Sequence, residues 1–235
     1  MADNKGLLFV FGEIGPHSNE NEFNDWYNSE HGPLRLTVPG FKTGYRCKAI
    51  DGLQPEWLAL YDLTKPEVMT SDAYKALGAI ASAEEKDIVS RLKMLNRRVY
   101  GMIQYLENPA LQPTNLPAKY MLVVGVEFKP DVDEDIDKWY EEEHFPVFSK
   151  IPGWLRGRRY KLVSTAELAG KAEKDALPAP TYLSIHEWDN PNFMEAIKIA
   201  DVYRYPWTQR VWNSVARREV RQFEMFKDFG LPKER

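Results

Sequence analysis

One stretch of this chain occurs twice. Residues 26–41 read WYNSEHGPLRLTVPGF and residues 139–154 read WYEEEHFPVFSKIPGW. At a constant offset of 113 they share Trp26/Trp139, Tyr27/Tyr140, Glu30/Glu143, His31/His144, Pro33/Pro146, Pro39/Pro152 and Gly40/Gly153, seven identities in sixteen positions. Chance gives roughly one. A chain that carries its own copy folds as two like units or as two halves of one. The echo extends upstream, where LLFVFGE (7–13) aligns with MLVVGVE (121–127), and downstream, where PEWLALYDLTKPEVM (55–69) aligns with PTYLSIHEWDNPNFM (180–194) at an offset of 125. The twelve extra residues fall within Ser164 to Ala179, whose Ala, Lys, Glu and Pro suit an exposed loop or short helix.

Both halves present the same order of elements. An apolar run, Leu7–Phe11 or Tyr120–Phe128, predicts a buried strand. A helix with an acidic first turn follows and is expected to stop near Pro33 or Pro146. Past a Pro-Gly turn come strands around Phe41–Ala49 and Glu56–Leu63, or Trp154–Val163 and Thr181–Trp188. A helical stretch, Pro66–Leu95 or Pro191–Ser214, leads to a last strand, Arg97–Leu106 or Ala216–Phe226. The order β-α-β-β-α-β is the ferredoxin-like plan. The expected fold class is α+β, with repeats over 1–106 and 120–235 joined by a linker at 107–119. Two such units bury their open sheet faces by closing one barrel, an intrachain pseudo-dimer. Helices are expected outside and a cavity between the two inner faces.

Composition narrows the class of function. The 235 residues include 31 basic and 35 acidic side chains, a net charge of −4, and one cysteine. That balance argues against nucleic-acid binding, and Cys47 alone excludes a disulfide framework or a Cys-rich metal site. No apolar run approaches the ~18 residues of a membrane span, so a soluble cytoplasmic protein is expected, as monomer or homodimer. Aromatic residues reach 13%, with seven Trp, which points to an aromatic-lined cavity for a small hydrophobic or aromatic molecule. Walker, dinucleotide-loop, G-x-S-x-G and H-E-x-x-H motifs are absent, and four scattered histidines give no metal-ligand spacing.

The string W-Y-x-x-E-H-x-P, followed by P-G-[FW], resembles the EthD-like branch of the dimeric α/β-barrel superfamily, across both halves. Muconolactone isomerases, cofactor-free polyketide cyclases and decarboxylases, and antibiotic-type monooxygenases share that fold. The resemblance implies a cofactor-independent enzyme, a lyase or isomerase, working on a small aromatic or polyketide-like molecule by acid/base chemistry. In relatives with isomerase activity the helix-end histidine lies at the cavity mouth, which corresponds to His31 and His144 here.

Among the histidines, His17 reads as solvated. His31 and His144 fit two roles equally, a cation closing a helix C-terminus or a proton shuttle. In TYLSIHEW, alternation puts Tyr182, Ser184, His186 and Trp188 on one strand face, expected to line the barrel interior, with Leu183 and Ile185 under the helices. The matching set in the first half is Trp57, Ala59, Tyr61 and Leu63, so His186 stands where Tyr61 stands. The expected catalytic set is His186, His144, His31 and Tyr61. Trp57, Tyr182, Ser184 and Trp188 are expected to bind substrate. Glu13 and Glu127 close their strands and are expected to pair with Arg46 and Arg159, or to serve as pocket acids; those arginines are also candidates to hold a substrate anion. Three alternatives stay open: a binding or stress-response module without chemistry, a haem-dependent enzyme, and a cofactor-free oxygenase.

Overall fold

The computed structural model describes residues 5–16, 18–170 and 178–230; His17 and residues 171–177 lie outside the described residues. Eight strands close a single antiparallel barrel: β1 (Gly6–Glu13), β2 (Tyr45–Ala49), β3 (Trp57–Leu63), β4 (Met94–Glu107), β5 (Tyr120–Phe128), β6 (Trp154–Ala169), β7 (Tyr182–Trp188) and β8 (Val215–Asp228). Around the barrel they run β1-β3-β2-β8-β5-β7-β6-β4. Residues 6–107 thus supply the four neighbours β4-β1-β3-β2, and residues 120–228 supply β8-β5-β7-β6, joined along β2–β8 and β4–β6. The fold is α+β, as expected. Ser164–Ala169, expected in a loop or short helix, instead extends β6, where Val99 pairs with Ser164 and Leu95 with Ala169.

Helices lie outside: α1 (Glu20–Trp26), α2 (Gly32–Arg35), α3 (Asp72–Ala76), α4 (Ala83–Arg91), α5 (Asp133–Trp139), α6 (Phe145–Phe148), α7 (Phe193–Ile199) and α8 (Pro206–Asn213). The expected stop at Pro33 and Pro146 does not occur. The helix widens to a π-helical turn, Tyr27–His31 or Tyr140–His144, and runs on as α2 or α6. Proline has no N–H to give the helix ladder. The Gly32 N–H reaches back five residues to Tyr27, and the Phe145 N–H to Tyr140, so the ladder skips the proline. The long helical stretch expected over Pro66–Leu95 is broken into α3, α4 and short 3-10 turns.

Among the described residues the barrel interior is packed with side chains. Phe9, Leu60, Tyr100, Tyr160, Ile185 and Phe223 are among the side chains that fill it, each fully buried. An eight-stranded barrel is just wide enough for side chains to fill, and here large side chains do fill it, so the expected interior cavity has no room. The alternation along β7 is as expected, but its sense is reversed. Leu183 and Ile185 enter the lumen, and Ser184, His186 and Trp188 lie beneath the helices.

Candidate functional site

The space that a ligand can occupy lies between helices and sheet in the second half. A cavity of about 300 Å³ is bounded by outward-facing side chains of β5, β7 and β8, such as Leu122, Ser184 and Val220. Trp139, Tyr140, His144 and Phe148 close it on one side and Val202, Val211 and Trp212 on the other. Its wall is mostly aliphatic and aromatic; Ser184, His186 and His144 gather their polar groups in one place, and Lys198, Asp201 and Tyr203 also line it.

The π-helical turn carries His144 inward between the rings of Trp139 and Tyr140, at centroid distances of 4.3 and 4.8 Å, with Phe148 at 4.5 Å. Its Nε2 lies 3.1 Å from Nε2 of His186. On the far side of His186, Nδ1 accepts from the Trp154 indole N–H at 3.1 Å, and Ser184 Oγ lies 3.3 Å from Nε2. Burial disfavours a charged imidazole here and pushes His186 down to about 3. His144 is lowered well below the ordinary value by burial, by its neighbour His186 and by the Arg159 charge. Both rings are neutral at pH 7, so His144 is not the helix-ending cation that the sequence allowed.

The matching space in the first half is filled. Tyr61 occupies the position of His186 and stacks on Phe229, ring centroids 6.3 Å apart. Phe229 sits against Gly32, where a Cβ would come within 2.3 Å of its ring. Phe41 stands where the second half has Trp154, and it packs edge-on to Tyr61 at 5.7 Å. His31 is buried between Trp26 and Tyr27, as His144 is between their counterparts. Its Nδ1, however, donates to Glu85 Oε1 at 3.1 Å. Burial and the Arg35 charge push His31 down to about 4 against the pull of Glu85. Among the described residues Tyr61 and His31 are packed against their neighbours and lie outside the cavity of the second half, where the ligand space is.

The other expected site residues serve the frame. Glu13 pairs with no arginine; its Oε2 accepts from the Glu56 N–H at 2.8 Å. Glu127 does the same in the other half, accepting from the Thr181 N–H at 2.9 Å and from its hydroxyl at 3.0 Å. Each glutamate thus anchors the start of the neighbouring strand. Arg46 lies in a box of Phe23, Tyr27 and Trp57 rings, 4.4 to 4.9 Å from its guanidinium, and donates to Asn24 and Asn28. Burial lowers it to about 10. Arg159 reaches Asp137 at 2.5 Å and Gln104 at 2.7 Å over the Tyr140 ring, while its Nε and Nη2 are buried without partners. The expected Glu–Arg pairing fails because the arginines point beneath the helices and the glutamates toward the strand ends. Tyr182 donates to Asp133 at 2.7 Å outside the cavity, and Trp188 stacks on Phe193. Of the expected set, His144, His186 and Ser184 meet at the cavity. Trp154, Val211 and Phe229 were missed; the first differs from Phe41 inside the repeated motif, a signal the sequence did carry.

Among the described residues no group of three or more His, Cys, Asp or Glu is placed to hold a metal. A haem does not fit. Both ring nitrogens of His186 are engaged, and beside His144, whose Nδ1 is not, about 300 Å³ of mostly apolar space is too small for a porphyrin and its carboxylates. No helix among the described residues is long and apolar enough to cross a membrane.

No family model matches the chain, and no curated protein does. Solved structures do. An anthrone oxidase-like protein aligns at a TM-score of 0.66 and 13% identity over 99% of this chain and 94% of its own. A candidate monooxygenase from Fusobacterium nucleatum aligns at 0.59 and 9% identity over 97% and 95%. A variant chlorite dismutase from Candidatus Nitrospira defluvii aligns at 0.60 and 7% identity over 97% and 93%. At such identities the likeness is one of fold alone.

Proposed function

We propose that this chain is an enzyme of the EthD-like type, built from two ferredoxin-like repeats, in which only the second repeat is the working one. Its cavity binds a small, mostly apolar, aromatic molecule, and His144 and His186 supply the proton chemistry. The observation that carries this reading is the meeting of two neutral, hydrogen-bonded imidazoles with a mostly apolar cavity. A desolvated imidazole pair is costly to bury and unnecessary for packing, since Tyr61 fills the matching place in the first half. Acid/base work on an activated carbon or oxygen is what such a pair supports.

The same chemistry serves a lyase, an isomerase or a cofactor-free oxygenase. The barrel's likeness to an anthrone oxidase-like protein and a candidate monooxygenase favours the oxygen-using reading, in which dioxygen is the co-substrate. The test uses planar aromatic ketones and phenols. Quenching of Trp139 and Trp212, which line the cavity, reports binding; mass spectrometry and an oxygen electrode report conversion. Replacing both His144 and His186 by Gln is expected to cut turnover by about 10²–10⁴. Full turnover in that double variant, or no binding of any planar aromatic, overturns the reading.

A further inference from the structure

The hydrogen bonds around His186 fix where the protons of the pair reside. An indole N–H only donates. His186 Nδ1, 3.1 Å from Trp154 Nε1, is therefore the acceptor and bears no proton. A neutral imidazole carries one proton, so that of His186 sits on Nε2 and points toward His144 Nε2 and Ser184 Oγ. Two N–H groups cannot face each other across 3.1 Å, so His144 Nε2 accepts and its own proton sits on Nδ1. Among the described residues that Nδ1 has no hydrogen-bond partner, and His144 lines the cavity.

The first half shows what such an atom binds. His31 carries the same Nδ1 proton, and it meets a carboxylate oxygen of Glu85 at 3.1 Å. Ser82 donates its hydroxyl and N–H to Glu30, and Thr208 donates the same two groups to Glu143, the copy of Glu30. Ser82 and Thr208 are thus equivalent, and three residues beyond them stand Glu85 and Val211. Where the first half supplies its own oxygen, the second half has a valine that lines the cavity. Of the four polar members of the relay only His144 has its copy, His31, in the other half; Trp154, His186 and Ser184 stand where Phe41, Tyr61 and Ala59 stand.

We infer that Nδ1–H of His144 is the atom that recognises the substrate, and that the substrate class is a planar, apolar body bearing an acceptor oxygen: a ketone, quinone, enolate or phenolate. Trp154 is the positioning residue that, through His186, holds the proton at that atom. The inference rests on reading this cavity as a small-molecule site, and it makes His144 the group that polarises an oxygen rather than the base that removes a proton. The buried Arg159 charge, close enough to act on His144, favours negative charge building on that oxygen.

Two measurements decide it. Long-range ¹H–¹⁵N NMR of the ligand-free protein, assigned with His144→Gln and His186→Gln, is expected to show a protonated Nδ1 on His144 and a protonated Nε2 on His186. A proton on His144 Nε2, or fast averaging between its two nitrogens, overturns the relay whether or not any ligand is found. Fluorenone and fluorene, which share a planar body and differ in one carbonyl, test the class. Fluorenone is expected to bind about tenfold tighter, the weight of one net hydrogen bond. In Trp154→Phe, which installs the residue of the other half, the ratio is expected to fall toward one with the urea midpoint shifted little. Equal binding in the wild type, or an unchanged ratio in Trp154→Phe, overturns the assignment while leaving the cavity as a binding site. If neither compound binds, the reading of the cavity itself fails, and the NMR result still judges the relay.

Discussion

The two halves share a frame and differ in what they do with it. The π-helical turn, the Trp-Tyr clamp on the histidine, the caged arginine and the glutamate at the strand start are present in both. The differences cluster in one place. Tyr61, Phe41, Gly32 and Glu85 in the first half become His186, Trp154, Phe145 and Val211 in the second. In the first half the tail residue Phe229 settles over Gly32, and Glu85 satisfies the histidine. In the second, a smaller ring and a valine leave about 300 Å³ open, and the histidine pair takes its remaining hydrogen bond from an indole. A frame used twice thus lets one half close into core while the other keeps buried polar groups beside open space, with the fold carried by both.

The largest expected effect is the response to acid. His31 and His186 stay neutral in the folded protein down to about 4 and about 3, whereas an imidazole in the unfolded chain titrates near 6.5. Below about pH 6.5 the unfolded state binds protons that the folded state refuses, so stability present at neutral pH is lost as pH falls. At pH 5 each of these two rings accounts for about 2 kcal/mol of that loss. His144 is shifted the same way and adds to it. His31 has Glu85 beside it to receive the proton's charge, while the second pair has none. The His144→Gln/His186→Gln variant is therefore expected to flatten the pH dependence more than His31→Gln, as read from urea midpoints at pH 7.5 and pH 5. Equal flattening breaks the asymmetry between the halves.

A smaller effect tests the plug. Gly32 sits in α2 with ordinary helical backbone, so alanine there gains up to about 1 kcal/mol of helix propensity. Its Cβ also collides with the Phe229 ring, and forcing that ring aside costs about 1–3 kcal/mol. Gly32→Ala alone is expected to destabilise by about 1 kcal/mol. In a Phe229→Ala background the same change is expected to stabilise, because the clash is gone and the propensity remains. Additive effects in this cycle would mean that Phe229 is not what closes the first half. Fluorenone binding to Phe229→Ala, with two sites instead of one, sharpens the comparison further.

Much of the frame was legible because it is written twice. The repeat located every strand, and period-two alternation correctly grouped Ser184 with His186 and Leu183 with Ile185. What alternation lacks is a sign: both faces of β7 are fully buried, and the pattern alone does not tell lumen from helix side. The packing of the lumen supplies it: Met121, Ile185 and Phe223 are among the side chains that fill the centre, and Glu187, on the same face of β7 as Ile185, is buried against Arg158. Glu13 and Glu127 were visible as a matched pair, but their partners are backbone N–H groups, which leave no mark in a sequence. Glu85 and Val211 were hidden for another reason. The helices between Pro66 and Leu95 break into short turns unlike those of the second half, so the residue-by-residue offset disappears where the two sites diverge most.

The smallest expected effect isolates the shared frame from the site. Glu13 and Glu127 accept backbone hydrogen bonds at matching strand starts, and a glutamine keeps an acceptor oxygen in each place while losing the charge that strengthens the bond. Glu13→Gln and Glu127→Gln are each expected to cost about 1 kcal/mol in urea unfolding. Glu13 is the more buried, which raises its cost, and Glu127 holds the Thr181 hydroxyl as well, which raises its own. The two costs are therefore expected to agree within about half a kcal/mol. Neither variant should change the fluorenone-to-fluorene ratio, because neither carboxylate meets the cavity. A loss of ligand affinity confined to Glu127→Gln would move that glutamate from the frame into the site and break the division between what the halves share and what only one of them does.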